Sequence, residues 1–401
     1  MPKVAQIRRF DDRMLCYGVE HGKSVGETPP RPKPNPISLS EPPDTDDHPS
    51  SDSSSSSADS TTSINTVRPS SREQPPPPEH WSNYFAQELF LTSNSETSSA
   101  TYHVYLTPPT NPKKGPLFIC HHGAGASGLS FALFAHHLRL KLPDAGILSL
   151  EARAHGSSTV TSLETGEEIM DFSLATLAAD ALAMITLTQQ KLSWPSIPPC
   201  VLIGHSLGGA ITTQLAADFA LGTALIGACV VDVVEGSALE ALGHMKSHLS
   251  SRPASFPTIP DAVTWHTHSR TLRNAASASI SVPPLFIPAP NGSGYVWRTP
   301  LSLTVNFWWD WFTSMSIKFL SARCAKLLIL AGTDRLDKEL MIGQMQGKFQ
   351  LVVIPEAGHF VQEDVPEKTA EIAVEFFRRN DRSAMVLPPK VSDLIAQGKK
   401  V

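Results

Sequence analysis

In the run Gly204-His205-Ser206-Leu207-Gly208-Gly209, one serine stands among glycines. It is preceded by the apolar residues Cys200-Val201-Leu202-Ile203 and followed by Ala210-Ile211-Thr212-Thr213-Gln214-Leu215-Ala216-Ala217. The flanks read as a strand and a helix, which puts Ser206 on the tight turn between them. A serine hydroxyl is a weak nucleophile until a sharp turn lifts it out of a sheet and a neighbouring base takes its proton. Flanking glycines let strand and helix approach where a larger side chain would clash. The helix start after Ser206 also aims free backbone N–H groups at any oxyanion formed there. The chemistry on offer is hydrolysis through a covalent serine intermediate.

Such a nucleophile needs an acid and then a histidine further along the chain. His359, in Pro355-Glu356-Ala357-Gly358-His359-Phe360, follows the apolar stretch 350–354 and is the expected general base. Two aspartates compete to orient it. Asp232 ends the strand read over 226–231, and Asp334 lies in Leu330-Ala331-Gly332-Thr333-Asp334-Arg335, at the end of the next strand. The acid must be buried beside the imidazole and accept its Nδ1–H. Spacing admits both residues, and the strand pattern taken by itself favours Asp334.

His121-His122-Gly123-Ala124-Gly125-Ala126, after the strand read over 117–120, matches the glycine loop that supplies a second oxyanion donor. The backbone N–H groups of Ala124 and Leu207 are the expected donors. The turn Glu151-Ala152-Arg153-Ala154-His155-Gly156 is expected to brace loops rather than to react.

Elements able to hold these groups alternate along the chain. Apolar strand-like runs at 116–120, 145–150, 200–203, 224–233, 325–331 and 349–354 are separated by helical patterns, which implies an α/β fold with a mostly parallel sheet covered on both faces. An early strand is read at 102–106 and a closing helix at 365–379. Residues 236–321, with their Ser/Pro-rich segments and the cluster Phe307-Trp308-Trp309-Asp310-Trp311-Phe312, interrupt the rhythm. They are expected to form a lid-like insertion over the carboxyl ends of the strands, where ligands of open α/β sheets bind.

The chain therefore divides into a disordered arm (1–80), a catalytic domain (81–380) and a weakly ordered tail (381–401). The arm is dominated from about residue 22 to 78 by Pro, Ser, Asp and Thr, too little apolar surface to offset the entropy of ordering.

The chain has 401 residues, of which 41% are hydrophobic, enough for one large core. A net charge of −5 without a long basic run excludes the electrostatic footprint of a nucleic-acid binder. Five cysteines without metal-type spacing read as reduced thiols, three of them inside strand-like runs. With no signal-type or membrane-spanning stretch, a cytoplasmic or nuclear protein with no membrane partner is expected.

At the level of whole segments the chain resembles the protein phosphatase methylesterase family, α/β hydrolases, over roughly residues 81–379. The most specific stretches are Val231-Asp232-Val233-Val234-Glu235-Gly236, the run from Leu327 through Gly332-Thr333-Asp334-Arg335-Leu336-Asp337-Lys338, and Ile342-Gly343-Gln344-Met345-Gln346-Gly347-Lys348-Phe349-Gln350. The resemblance maps the family's serine to Ser206, its base to His359 and its acid to Asp232, against the pattern-only preference for Asp334. It implies removal of the methyl ester from the carboxy-terminal leucine of the type 2A Ser/Thr protein phosphatase catalytic subunit, without metal or other cofactor. It also implies an active site that rearranges when the phosphatase docks. Departures lie in Ser277-Ala278-Ser279-Ile280-Ser281, which lacks the arginine expected near Ser279, in a short linker before Trp297 and in the long amino-terminal arm. Two other roles fit the same residues: a general small-molecule carboxylesterase, and a phosphatase-binding regulator with secondary esterase activity.

Overall fold

The computed structural model describes residues 79–332 and 336–381. The arm expected before residue 79, the tail after 381 and the competing acid Asp334 lie outside the described residues.

Strands β1 (Gln87–Asn94), β2 (Ser98–Thr107), β3 (Leu117–His121), β4 (Gly146–Leu150), β5 (Thr159–Ser162), β6 (Cys200–His205) and β7 (Leu225–Val231) belong to the main sheet. Two-residue β8 (Ser255–Phe256) and three-residue β9 (Phe286–Pro288) and β10 (Tyr295–Trp297) form a separate small sheet, and β11 (Ala325–Leu330) and β12 (Gln350–Val353) complete the main one. The helices are α1 (Ala132–Lys141), α2 (Leu174–Lys191), α3 (Leu207–Ala217), α4 (Glu235–Ser251), α5 (Ile259–His268), α6 (Ala275–Ser281), α7 (Trp308–Phe312), α8 (Met315–Ser321), α9 (Lys338–Met345), α10 (Val361–Asp364) and α11 (Pro366–Asn380).

The main sheet runs β1-β2-β4-β3-β6-β7-β11-β12, with β5 also paired to β2. Pairings from β4 through β12 are parallel, and β2 is antiparallel to β1, β4 and β5. Every residue of β3, β4 and β6 is buried, as their continuous apolar runs require of strands covered on both faces. Cys120 of β3, Cys200 of β6 and Cys229 of β7 act as small buried hydrophobes, and burial pushes the Cys200 thiol up to about 12. The closing helix α11 packs Phe377 edge-on to Phe118 at 5.9 Å between ring centroids.

Strands β1 and β5 were not among the strands read from the sequence. They are largely polar (QELFLTSN and TVTS): β1 buries Leu89 and Leu91 and β5 buries Val160, while cross-strand pairing with β2 places the rest.

Glycines set how closely β6, α3 and β3 meet. A Cβ on Gly204 would lie 2.1 Å from the Gly208 carbonyl oxygen, and one on Gly208 would lie 2.1 Å from that of His121. Gly208→Ala should therefore force backbone apart and destabilise the fold by about 3 kcal/mol or more. Gly243→Ala in α4, where an added Cβ meets nothing within 4 Å, should be neutral or stabilising by a few tenths of a kcal/mol. Thermal unfolding of the two variants side by side checks the contrast.

The segment between β7 and β11 contains α4 to α8 and the small sheet, in the order β8-β10-β9. Phe256, Phe286 and Trp297 from this sheet pack with Trp265 and His266 of α5. From the cluster at 307–312, Trp308, Trp311 and Phe312 turn inward and Trp309 outward. Trp311 donates its indole N–H to the Phe172 carbonyl oxygen at 2.7 Å, which ties the insertion to the start of α2.

Candidate active site

Ser206 sits between β6 and α3 with φ 52° and ψ −119°, a left-handed conformation that a serine adopts only under constraint. Its N–H donates to the Val231 carbonyl oxygen at 3.0 Å, and its own carbonyl oxygen accepts from Gly209 at 2.8 Å. The turn is fixed from both sides, so the strain is held rather than relaxed.

Asp232 stands at the tip of β7, also with positive φ (51°). Its N–H donates to the Ile329 carbonyl oxygen at 2.7 Å, and its Oδ1 accepts the Ala331 N–H at 2.7 Å. The remaining oxygen, Oδ2, faces His359 Nδ1 at 2.7 Å. Asp232 is 9% exposed and His359 52% exposed, so a sheltered carboxylate orients an accessible imidazole. The geometry brings Asp232 to His359, the pair that the family resemblance maps and that the strand pattern alone did not favour. Among the described residues Ser206 Oγ has no hydrogen-bond partner, while Ser206 and His359 line one cavity.

The loop carrying His359 is anchored beneath and behind it. His205, next to the serine, donates Nε2–H to the His359 carbonyl oxygen at 2.8 Å, and the two rings lie 4.7 Å apart. Asp364 accepts the N–H groups of Gly358 at 2.6 Å and Arg273 at 2.7 Å, linking this loop to the insertion. Neither role was read from the sequence. His205 carried a usable signal, a titratable ring adjoining the nucleophile. Asp364 carried none, because its partners come from separate elements.

Ala124 and Leu207 both line the cavity. Gly125, the next residue of the glycine loop, is already committed, since its N–H donates to His155 Nε2 at 2.9 Å. His155 in turn donates Nδ1–H to the Arg153 carbonyl oxygen, and Arg153 forms a two-pronged pair with Asp180 at 2.5 and 2.9 Å. The turn around Arg153 is the brace expected of it.

The cavity has a volume of about 210 Å³. Its catalytic side is Gly123 to Ser127, Ser206, Leu207 and His359, and its other side comes from the insertion, including Leu242, Met245, Trp265 and Trp297. At its edge Glu363 accepts from Ser130 at 2.6 Å and Ser281 at 2.5 Å, joining the catalytic domain to α6.

Burial sets the protonation of this region. It lowers His121, His122, His155, His205 and His266, with His121, His155 and His266 near 4. Burial raises the Glu363 carboxyl to about 8, with the hydroxyls of Ser130 and Ser281 opposing it and Asp364 reinforcing it. The imidazoles are neutral in the fold and titrate near 6.5 when unfolded. Their contribution to stability is complete above that pH and is lost as pH falls, each with a slope approaching about 1.4 kcal/mol per pH unit. The neutral Glu363 carboxyl has the opposite sign: its contribution is complete below about 4.5 and is lost as pH rises towards 8. Five groups outweigh one between pH 4.5 and 6.5. Tm should therefore climb to a maximum near pH 6.5–7 and then fall more gently, and a flat profile below pH 6.5 would contradict this.

A parallel sheet crossed by a strained serine turn, with an acid and a histidine at the tips of later strands, defines an α/β hydrolase. The model of the alpha/beta hydrolase family matches residues 118–372. The crystal structure of E-2-(acetamidomethylene)succinate hydrolase aligns over 73% of this chain and 100% of its own, with a TM-score of 0.55 at 17% identity, a likeness of fold. Protein phosphatase methylesterase 1 of Aspergillus fumigatus is 56% identical over 320 residues, 79% of this chain and 76% of that protein. The Neurospora crassa protein of the same name is 51% identical over 363 residues, covering 80% of each chain. That of Schizosaccharomyces pombe is 44% identical over 312 residues, 78% of this chain and 87% of its own. The chain belongs to the protein phosphatase methylesterase 1 family and is a serine esterase.

Proposed function

We propose that the chain demethylates the carboxy-terminal leucine of the type 2A Ser/Thr protein phosphatase catalytic subunit, with Ser206 as nucleophile, His359 as general base and acid, and Asp232 as the orienting carboxylate. The observation that carries this reading is the 2.7 Å contact of Asp232 with His359 Nδ1, in a cavity that also holds the strained Ser206. The names of the fungal relatives support a phosphatase as the substrate.

In the first half-reaction Ser206 Oγ attacks the ester carbonyl as His359 Nε2 takes its proton. The tetrahedral oxyanion is received by the N–H groups of Ala124 and Leu207. Collapse breaks the C–OCH3 bond, and the imidazolium protonates the departing methoxide to methanol. In the second half, His359 activates a water that cleaves the acyl-serine ester, giving the free carboxylate and restoring the hydroxyl. Asp232 holds the ring with Nδ1–H towards itself and stabilises the imidazolium in each half. The missing hydrogen bond from Ser206 to His359 fits a site completed by docking of the phosphatase, whose binding energy would close it.

Mixing the protein with carboxymethylated phosphatase catalytic subunit and following methanol release tests the reading. Release by the native chain and not by Ser206→Ala supports it. Fast turnover of short acyl esters with no action on the methylated phosphatase would favour a general carboxylesterase. Tight binding of the phosphatase by both forms without methanol release would favour a binding regulator.

A further inference from the structure

Arg252 follows the last turn of α4 and lines the same cavity as Ser206 and His359. Its guanidinium carbon lies 3.8 Å from the centroid of the Trp297 ring, and Trp297 is fixed by an indole N–H to Pro253 carbonyl hydrogen bond at 2.7 Å. Its Nε is buried with no hydrogen-bond partner. Among the described residues no carboxylate lies within salt-bridge distance of it. The acidic side chain that shares the cavity, Glu363, is occupied by Ser130 and Ser281 and is neutral at pH 7. His266, on the same wall, is neutral as well.

A half-buried cation without a counter-charge is costly, and guanidinium is the side chain best suited to a two-pronged grip on a carboxylate. Burial by itself lowers Arg252 only to about 10, so it stays charged at neutral pH and ready for an anion. The methyl ester itself is neutral, so an anion that meets Arg252 before the reaction comes from elsewhere on the substrate, and the product carboxylate is the competing occupant that the test separates.

We infer that Arg252 is a specificity residue that grips the carboxylate of an acidic side chain lying a few residues before the esterified terminus of the substrate peptide. This rests on the proposed action at a methyl-esterified peptide end. It deepens that reading by making the esterase prefer acidic tails. Stacking on Trp297 holds the guanidinium plane in place, so less side-chain freedom is lost when the anion arrives.

The test is a binding cycle on the full-length Ser206→Ala protein, in which the ester is not consumed. Leucine methyl-ester hexapeptides carrying one Asp at each upstream position in turn, and their Asn counterparts, are titrated against Arg252 and Arg252→Gln forms. One Asp position should bind at least about tenfold more tightly than its Asn counterpart to the Arg252 form, and this preference should vanish in Arg252→Gln. Arg252→Lys, which keeps the charge and its favourable place at a helix carboxyl end, should retain part of the preference. Equal loss on Asp and Asn peptides would make Arg252 a packing residue, and no preference at any position, or no binding at all, would overturn the inference. A loss confined to the affinity for the free-acid product, measured in parallel, would point to the product carboxylate and would likewise overturn it. Methanol release from methylated phosphatase by the Ser206 protein separates this failure from failure of the proposed function, since demethylation without charge preference sinks only the role of Arg252.

Discussion

Ser206→Ala is expected to lower methyl-ester hydrolysis by about 10⁴- to 10⁶-fold while leaving the fold intact. The hydroxyl is the only part of the side chain removed, and among the described residues it bonds to nothing, so no structural contact is lost. Alanine must still occupy φ 52°, and the turn is held by Val231 and Gly209 whatever the side chain. Circular dichroism and Tm should be close to those of the native chain. His359→Ala should cost a similar factor, and the double variant little more than either alone, because the two act as a unit. Steady-state methanol release from all three variants reads this directly. A Ser206→Ala protein with a tenth or more of native activity would remove the serine from the chemistry.

Asp232→Asn should reduce kcat by about 10⁴ with a much smaller effect on substrate binding. The amide keeps the shape, and its oxygen still accepts from one donor. It can satisfy either Ala331 N–H or His359 Nδ1–H with that oxygen, but not both, and it would turn an NH2 towards the other. Facing an NH2, the imidazole flips to the tautomer with a proton on Nε2 and can no longer take the Ser206 proton. The expected signature is a collapsed kcat that recovers in part at high pH, with reactivity towards a fluorophosphonate lost in parallel. An Asp232→Asn enzyme of near-native kcat would return the role of acid to another carboxylate, with Asp334 first in line.

Ser206 and His359 were legible as candidates because both sit just past strand ends, and those two strand ends are marked by glycine. Gly204 and Gly208 flank Ser206 for a steric reason that the carbonyls of Gly208 and His121 make explicit, and Gly358 precedes His359 on the loop pinned by Asp364. The carboxylate that meets His359 was not legible from pattern, since the tips of β7 and β11 look alike along the chain. What the fold gives Asp232 is a backbone at φ 51°, an Ala331 N–H on one carboxylate oxygen and His359 Nδ1 on the other, none of which a local stretch of sequence contains. Residues that support the site were less legible still. Ser130 and Glu363 are 233 positions apart, and Arg252 meets Trp297 across the insertion, so no local window contains both partners. The insertion was found as a break in the alternation of strands and helices. Its small three-stranded sheet was not, because strands of two or three residues carry no periodicity.

The proposed chemistry turns on His359 making the hydroxyl of Ser206 nucleophilic. Its most direct test is to react the native protein with a fluorophosphonate, with the phosphatase present to complete the site, and to map the modified peptide by mass spectrometry in native and His359→Ala forms. One adduct is expected, on Ser206, forming at least about a thousandfold more slowly when the imidazole is gone. An adduct on another residue, or a rate at Ser206 unchanged by loss of His359, would contradict it.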